Sequence, residues 1–192
     1  MTEKNDLLTE EEKKYLLQLA RRSIAHYLKN RELLEVEEEE IQNPKLKQKQ
    51  GAFVTLKVNG QLRGCIGYPL PYKPLYQTVI ETAVAAASED YRFPPLTGEE
   101  LEDLVIEISV LTLPRKVKGP EEVVVGRHGL IVSKGFHKGL LLPQVPLEYG
   151  WDLETYLNHA CLKAGLPADE WKRGVTLEVF EAQVFSEEEF RD

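Results

Sequence analysis

Apolar residues recur at helical spacing in three stretches of the chain. The first runs from Leu16 to Leu28 and follows Thr9 and Glu12, the residue pair of a helix-starting capping box. The second is "LYQTVIETAVAAASED", and the third is "DLETYLNHACLKAGL", with Asp152 as its N-cap. Each stretch predicts an amphipathic helix whose apolar face is buried against the rest of the protein.

Alternating apolar and polar residues predict strands between these helices. "AFVTLKV" is followed by Asn59-Gly60, the strongest short-range hairpin signal, so the returning strand carries the hexamer "LRGCIG". "LVIEISVLTLP" predicts one strand, and "HGLIVSKGFHKGLLLPQV" predicts a second hairpin. "VTLEVFEAQVFSE" alternates throughout and predicts a single closing strand.

The order of these elements predicts the fold class. Strands joined directly by hairpins and mixed with helices indicate an α+β fold, with a largely antiparallel sheet packed against helices. We expect one domain over residues 1–192, built from two unequal subdomains with a cleft between them. The larger subdomain covers about 1–113 and 166–192, and the smaller one about 114–165.

Composition and charge narrow the classes of function. The net charge of -8 disfavours nucleic-acid binding, because phosphate contacts need clustered Lys and Arg. No apolar run approaches the length of a membrane span, and the acidic N-terminus lacks the apolar core of a secretory signal. The two cysteines form no disulfide framework or metal-ligand spacing, although a bridge between them stays open. We therefore expect a cytoplasmic protein that binds no membrane.

Cys65 is the first candidate for chemistry. Regular alternation predicts that Arg63 and Cys65 share one strand face, with Leu62, Gly64 and Ile66 on the other. A guanidinium beside the sulfur would favour a thiolate nucleophile. The alternative is a small buried hydrophobic residue, which spacing alone favours because cysteine is among the most buried residue types. Gly64 and Gly67 predict a bulge or a close approach of backbone or ligand.

Other polar residues are candidates because of their positions. Asp90 and Arg92 lie on a constrained loop that can present both side chains to a pocket; the alternative is a local ion pair at a helix end. His128 stands at the entry to a predicted strand, and Gln144 and Glu148 flank an apolar stretch in which a buried Glu148 could act as a base. No metal-ligand spacing or phosphate-binding loop is present, so we predict no metal and no cofactor.

The ordered series of short motifs resembles one family. "LRGCIG", "YRFPPLT", "IEISVLT", "RHGLIV", "GLLLPQV", "YGWD" and "ACLKAGL" occur in the order seen in the AMMECR domain family, the A component of the AmmeMemoRadiSam system in prokaryotes. The similarity runs from about Gly51 to Phe185. Two departures are Tyr91, where the family usually has Pro, and Tyr68-Pro69, where Thr-Leu is commoner.

The resemblance implies an α+β fold of two unequal subdomains, with the hexamer near the cleft between them. It also implies a cytosolic protein associated with a Memo-type protein and a radical S-adenosylmethionine protein, but it defines no reaction. The family's motif positions in this chain are Arg63, Gly64, Cys65, Gly67, Arg92, His128, Gly129, Gln144 and Glu148.

Two hypotheses of function follow. In the first, the protein binds or transforms a small molecule or peptide, with Cys65, His128 and Glu148 as catalytic candidates. The substrate-binding candidates are Arg63, Gly64, Gly67, Asp90, Arg92 and Gln144. In the second hypothesis, the protein is a non-catalytic adaptor for its partner enzymes. Regulation through nucleic acid is a third class, which the net charge of -8 disfavours.

Overall fold

The predicted capping box begins the first helix of the computed structural model, which describes residues 7–191. Glu12 N–H donates to Thr9 Oγ1 at 3.3 Å, and Thr9 N–H donates to the Glu12 carboxylate at 2.6 Å. Helix α1 is Glu10–Asn30 and helix α2 is Leu75–Ser88. Both bury their apolar faces in one core cluster.

The remaining regular elements of the described chain follow the predicted order, with additional short pieces. The strands are β1 (Ala52–Val58), β2 (Gln61–Tyr68), β3 (Leu104–Leu111), β4 (Arg115–Lys116), β5 (Gly129–Lys134), β6 (His137–Leu141), β7 (Thr176–Phe180) and β8 (Ala182–Ser186). The later helices are the single turn α3 (Val145–Glu148) and α4 (Leu153–Lys163). The predicted N-cap of α4 forms, since Thr155 N–H donates to Asp152 Oδ1 at 2.8 Å.

The chain divides into two compact units. The first contains the residues up to Leu111 and those from Gln183, and the second extends from Thr112 to Ala182. In the described part of the chain each unit holds one four-stranded sheet, with strand orders β2-β1-β3-β8 and β4-β7-β5-β6. The α+β class with antiparallel pairing is therefore confirmed, but the strands form two sheets where one was expected.

The prediction of one closing strand is wrong. The stretch forms β7 in the second sheet and β8 in the first, with Glu181 between them. Glu181 N–H donates to Thr112 Oγ1 at 2.8 Å, so the ladder is broken at that residue. Because β7 pairs with β5 and β4, residues 166–182 belong to the second unit, whereas the sequence placed them in the larger subdomain. Alternation reports the faces of a strand and carries no information on which sheet it joins.

The first sheet has two chemically different faces. Ala52, Val54 and Leu56 of β1 are buried in the core with α1 and α2. Phe53, Thr55 and Lys57 point to the opposite side and are only partly buried; we call this side the outer face.

Residues 7–191 contain no helix that is long and apolar enough to cross a membrane.

Candidate functional site

The hairpin that carries Cys65 is irregular at one position. Lys57 pairs with Leu62, but the neighbouring Leu56 pairs with Gly64. Arg63 is therefore an extra residue in β2, which makes it a β-bulge. The sequence predicted a bulge or a close approach in this strand but did not locate it at Arg63.

The bulge determines which face of the sheet Cys65 occupies. A regular two-residue hairpin would pair Cys65 with Val54, whose side chain is fully buried in the core. The extra residue shifts the register by one, so Cys65 pairs with Thr55 and points to the outer face. Cys65 Sγ lies 3.2 Å from Thr55 Oγ1, and the residue is only partly buried.

The same shift of register requires a glycine at position 64, because it places this residue opposite the buried Leu56 and against α2. A Cβ at this position would lie 2.1 Å from the backbone oxygen of Ala86. A Cβ on Gly67 would lie 2.2 Å from the ring of Phe53. The close approach predicted for these glycines is made by α2 at Gly64 and by an aromatic side chain at Gly67.

Asp90 links the Cys65 backbone to a guanidinium. Its Oδ2 accepts hydrogen bonds from Cys65 N–H at 2.9 Å and from Arg92 Nη2 at 2.7 Å, and its Oδ1 accepts from Arg92 Nε at 2.9 Å. Asp90 is 5% exposed, whereas the Arg92 side chain is 45% exposed. The Arg92 guanidinium, aided by the backbone N–H groups of Cys65 and Arg92, holds the pKa of Asp90 well below its usual range against the effect of burial.

These contacts define a thiol cluster made of Cys65, Thr55, Asp90 and Arg92. The helix-end ion pair foreseen as an alternative for Asp90 and Arg92 does form, and it also binds the β2 backbone. Within residues 7–191, the hydrogen bonds of the Arg92 guanidinium use Nε and Nη2. Both N–H groups of Arg92 Nη1 are therefore left to bind a ligand, together with the second N–H of Nη2.

Arg63 does not take the place beside the sulfur that regular alternation predicted. Its Nε donates to Glu100 Oε1 at 2.6 Å and its Nη1 donates to the Pro94 carbonyl at 2.8 Å. The Arg63 hydrogen bond lowers the pKa of Glu100 to about 2. The predicted sharing of a face by Arg63 and Cys65 was wrong because the extra residue moves Cys65 to the outer face, which Leu62 already faces opposite Lys57. Arg63 instead anchors the segment that follows Asp90 and Arg92.

Two charged residues on the outer face, Lys57 and Glu107, were not among the candidates predicted from the sequence. Lys57 Nζ donates to Glu107 Oε2 at 2.8 Å, and Glu107 pairs with Thr55 across β1 and β3. A signal for Glu107 was present, because it is the one charged residue in the apolar stretch "LVIEISVL". The alternation of β1 likewise indicated that Thr55 and Lys57 share a face.

The other predicted candidates belong to the second unit. His128 is 4% exposed, its Nδ1 accepts from Val124 N–H at 3.0 Å, and its Nε2 lies 3.7 Å from Glu181 Oε1. Burial lowers the pKa of His128, and the Glu181 carboxylate opposes that effect. Gln144, the residue before α3, and Glu148, the last residue of α3, are both exposed, and Glu148 N–H donates to the Gln144 carbonyl. Glu148 is therefore not the buried carboxyl that was considered as a base.

No group of three or more His, Cys, Asp or Glu side chains within residues 7–191 could hold a metal ion. Both cysteines are free thiols.

Known proteins share the sequence features of this α+β chain with two antiparallel sheets. The AMMECR1 family model matches residues 17–185, so the chain belongs to the AMMECR1 family. MK0488 of Methanopyrus kandleri is 50% identical over 192 residues, covering 95% of this chain and 91% of that protein. MJ0810 of Methanocaldococcus jannaschii is 47% identical over 194 residues, covering 96% and 94%.

A solved structure supports the same relationship. The crystal structure of an uncharacterised protein, PH0010 from Pyrococcus horikoshii, superposes with a TM-score of 0.75 at 44% sequence identity. The match covers 93% of each chain. The family predicted from the ordered motifs is thereby confirmed, and so is the fold.

Proposed function

We propose that the first unit binds a small molecule or peptide carrying an anionic group, on the outer face at the thiol cluster. Cys65 contacts this ligand directly and is the reacting group if the protein is an enzyme. Arg92 binds the anionic group through Nη1, the guanidinium nitrogen that Asp90 leaves unoccupied.

The position of Cys65 after the bulge is the observation that carries the proposal. One extra residue moves a thiol out of the core and onto the outer face, opposite Thr55. Bulges next to functional sites commonly re-aim one side chain in this way. A purely structural cysteine would gain burial from the regular register, opposite Val54.

The buried carboxylate of Asp90 supports the role given to Arg92. Its lowered pKa keeps it ionised at neutral pH, so the guanidinium has a permanent partner that fixes its orientation. About half of the Arg92 side chain nevertheless remains exposed to solvent. An oriented and exposed guanidinium loses little conformational freedom when it binds a carboxylate or phosphate group.

Several finer roles remain predictions from the sequence. They are proton transfer by His128, substrate contact by Gln144, a cytoplasmic location, and work with Memo-type and radical S-adenosylmethionine proteins. A purely adaptor function predicts that binding to these partners survives Cys65→Ser, and a pull-down with wild type and that variant tests it.

Alkylation of the native protein tests the proposed site. Iodoacetate is anionic and iodoacetamide is neutral, so the ratio of their rates at Cys65 reports the nearby cation. We expect this ratio to exceed that of a cysteine in an unstructured peptide, and Arg92→Gln to lower it about threefold, the effect of one exposed charge interaction. Peptide mass mapping assigns the modified residue.

The matched control is Arg173→Gln. Arg173 is also an exposed arginine paired with a nearby aspartate, at 2.6 Å from Asp169, and it belongs to the second unit. This variant should leave the rate ratio at Cys65 unchanged. A ratio equal to that of the unstructured peptide, or an equal change in both variants, would refute the role of Arg92. A Cys65 that does not react in the native protein would exclude the thiol as a ligand contact.

A further inference from the structure

A groove in the first unit shares no residue with the thiol cluster. It lies between the segment that follows α1 and the first turns of α2, with a cavity volume of about 930 Å³. Tyr76 and Ile80 of α2 form a buried apolar wall, and Leu33, Leu34 and Val36 line the groove from the other side. Leu33 is 47% exposed, so apolar surface remains accessible within the groove.

The groove also carries a concentrated negative charge. Glu32, Glu35, Glu37 and Glu81 line it together with the apolar residues, and we call the whole feature the acidic groove. Lys73 pairs with Glu81 at 2.6 Å, but Glu32, Glu35 and Glu37 form no ion pair with another residue of the range 7–191. Among the lining residues within the range 7–191, His26 is the one basic side chain.

We propose that the acidic groove is a docking site for a basic and apolar peptide segment of a partner protein. Leucine-like side chains of the segment would cover Leu33 and the α2 wall, and its Lys or Arg side chains would pair with Glu32, Glu35 and Glu37. The charge complementarity argues for this occupant. An anionic lipid would be repelled by the carboxylates, and so would a second copy of this chain, which has a net charge of -8.

Binding of designed peptides to the full-length protein tests the proposal. The probe is a short fluorescent peptide of Lys and Leu, and the comparison peptides replace Leu by Ser or Lys by Glu. Fluorescence anisotropy should show saturable binding of the Lys/Leu peptide and much weaker binding of the other two. Raising the salt concentration from about 0.1 M to about 1 M should weaken the binding, since it shortens the screening length from about 10 Å to about 3 Å.

Matched variants separate the groove from general charge attraction. Glu32→Gln/Glu35→Gln/Glu37→Gln should raise the Kd of the Lys/Leu peptide about tenfold, from three exposed charge pairs. Glu99→Gln/Glu102→Gln/Glu121→Gln removes the same charge from exposed positions outside the groove and should change the Kd less than twofold. Leu33→Ser should raise the Kd about fivefold through lost apolar contact.

Four results would overturn the proposal. Two concern the peptides: no saturable binding of the Lys/Leu peptide, or equal affinity for the Lys/Ser peptide. The third is an equal effect of the two triple substitutions on the Kd. The fourth is self-association of the protein, seen by sedimentation, that blocks peptide binding. The acidic groove shares no residue with the thiol cluster, so Arg92→Gln should leave the affinity for the peptide unchanged.

Discussion

Cys65 and Cys161 belong to different units and have contrasting surroundings. Cys161 lies in α4, is fully buried, and packs in an apolar cluster with Leu157 and Ala160. Burial raises the pKa of the Cys161 thiol. Cys65 lies on the outer face beside a hydroxyl, a buried carboxylate and a half-exposed guanidinium. Backbone register, rather than residue type, therefore separates a packing cysteine from a candidate functional one.

The glycines of the two units sharpen this contrast. In each unit a helix lies against a hairpin strand at a glycine: a Cβ on Gly64 would lie 2.1 Å from Ala86 O, and one on Gly139 would lie 2.4 Å from Ala164 N. In the second unit β5 and β6 pair without a shift of register from Leu130 to Lys134. Of the two hairpins within residues 7–191, the one in the first unit therefore combines a packing glycine with a bulge, and that combination exposes Cys65.

The largest effect is expected from Gly64→Ala. The new methyl group would overlap the backbone of α2, which cannot move aside as a side chain can, and we expect a loss of about 3 kcal/mol in the free energy of unfolding. Gly98→Ala is the matched control, because a Cβ there meets no atom within 4 Å, and it should cost less than about 0.5 kcal/mol.

Urea unfolding followed by circular dichroism measures both variants. Trp151 and Trp171 both belong to the second unit, so tryptophan fluorescence in the same titration reports that unit separately. Equal stability of Gly64→Ala and Gly98→Ala would show that β2 and α2 can separate at no cost, and the account of the bulge would be wrong.

Asp90→Asn should have the next largest effect. The amide keeps one acceptor for Cys65 N–H but loses the charged pairing with Arg92, so we expect a loss of about 2 kcal/mol. Asp103→Asn, at an exposed position, is the control and should be close to neutral.

Acid titration of the same pair checks the electrostatic cause. The pKa of Asp90 is lower in the folded state, so its stabilising contribution is complete above the unfolded-state pKa of about 3.9 and is lost as the pH falls below that value. Wild type should therefore lose stability below about pH 4 more steeply than Asp90→Asn. Parallel curves for the two proteins would contradict the assigned role of Asp90.

Serine substitution at each cysteine tests the comparison directly. Cys161→Ser puts a hydroxyl into an apolar cluster and should cost about 1 kcal/mol, whereas Cys65→Ser should stay within about 0.5 kcal/mol. Native alkylation should modify Cys65 and leave Cys161 unmodified until the second unit unfolds. Equal costs of the two substitutions, or early modification of Cys161, would remove the distinction between the cysteines.

The smallest effect concerns the pH dependence of the second unit. The pKa of His128 is lowered by burial, with Arg115 and Arg127 acting in the same direction and Glu181 opposing them. Below about pH 6.5, His128 is therefore protonated more readily in the unfolded state than in the folded state. The free energy of unfolding should fall as the pH decreases from about 7 to about 5. Tryptophan-detected urea unfolding of wild type and His128→Gln measures this slope. A steeper slope in the variant would show that the assigned sign is wrong.

Local sequence patterns predicted most elements of the fold but less of the site. Thr9 with Glu12, Asn59-Gly60 and Asp152 carry their own short-range chemistry, and each forms the cap or turn that was predicted. Cys65, Asp90 and Arg92 were singled out individually, yet their linkage depends on a contact between residues 25 positions apart. Arg63 was assigned to the wrong partner because alternation assumes a ladder with no extra residue.

The sequence by itself determined the family and the α+β class, because the order of motifs and elements can be read along the chain. It also determined the hairpin turn and the caps, because their hydrogen bonds join residues close in sequence. Only the tertiary structure decided that Arg63 is a bulge, that Cys65 is opposite Thr55, and that the closing stretch divides between two sheets. The physical reason is that the contact of Gly64 with α2, the anchoring of Arg63 by Glu100 and the capture of Cys65 N–H by Asp90 all join distant parts of the chain. Local sequence patterns do not show such long-range contacts. Together these three contacts favour the strand register that exposes the Cys65 thiol.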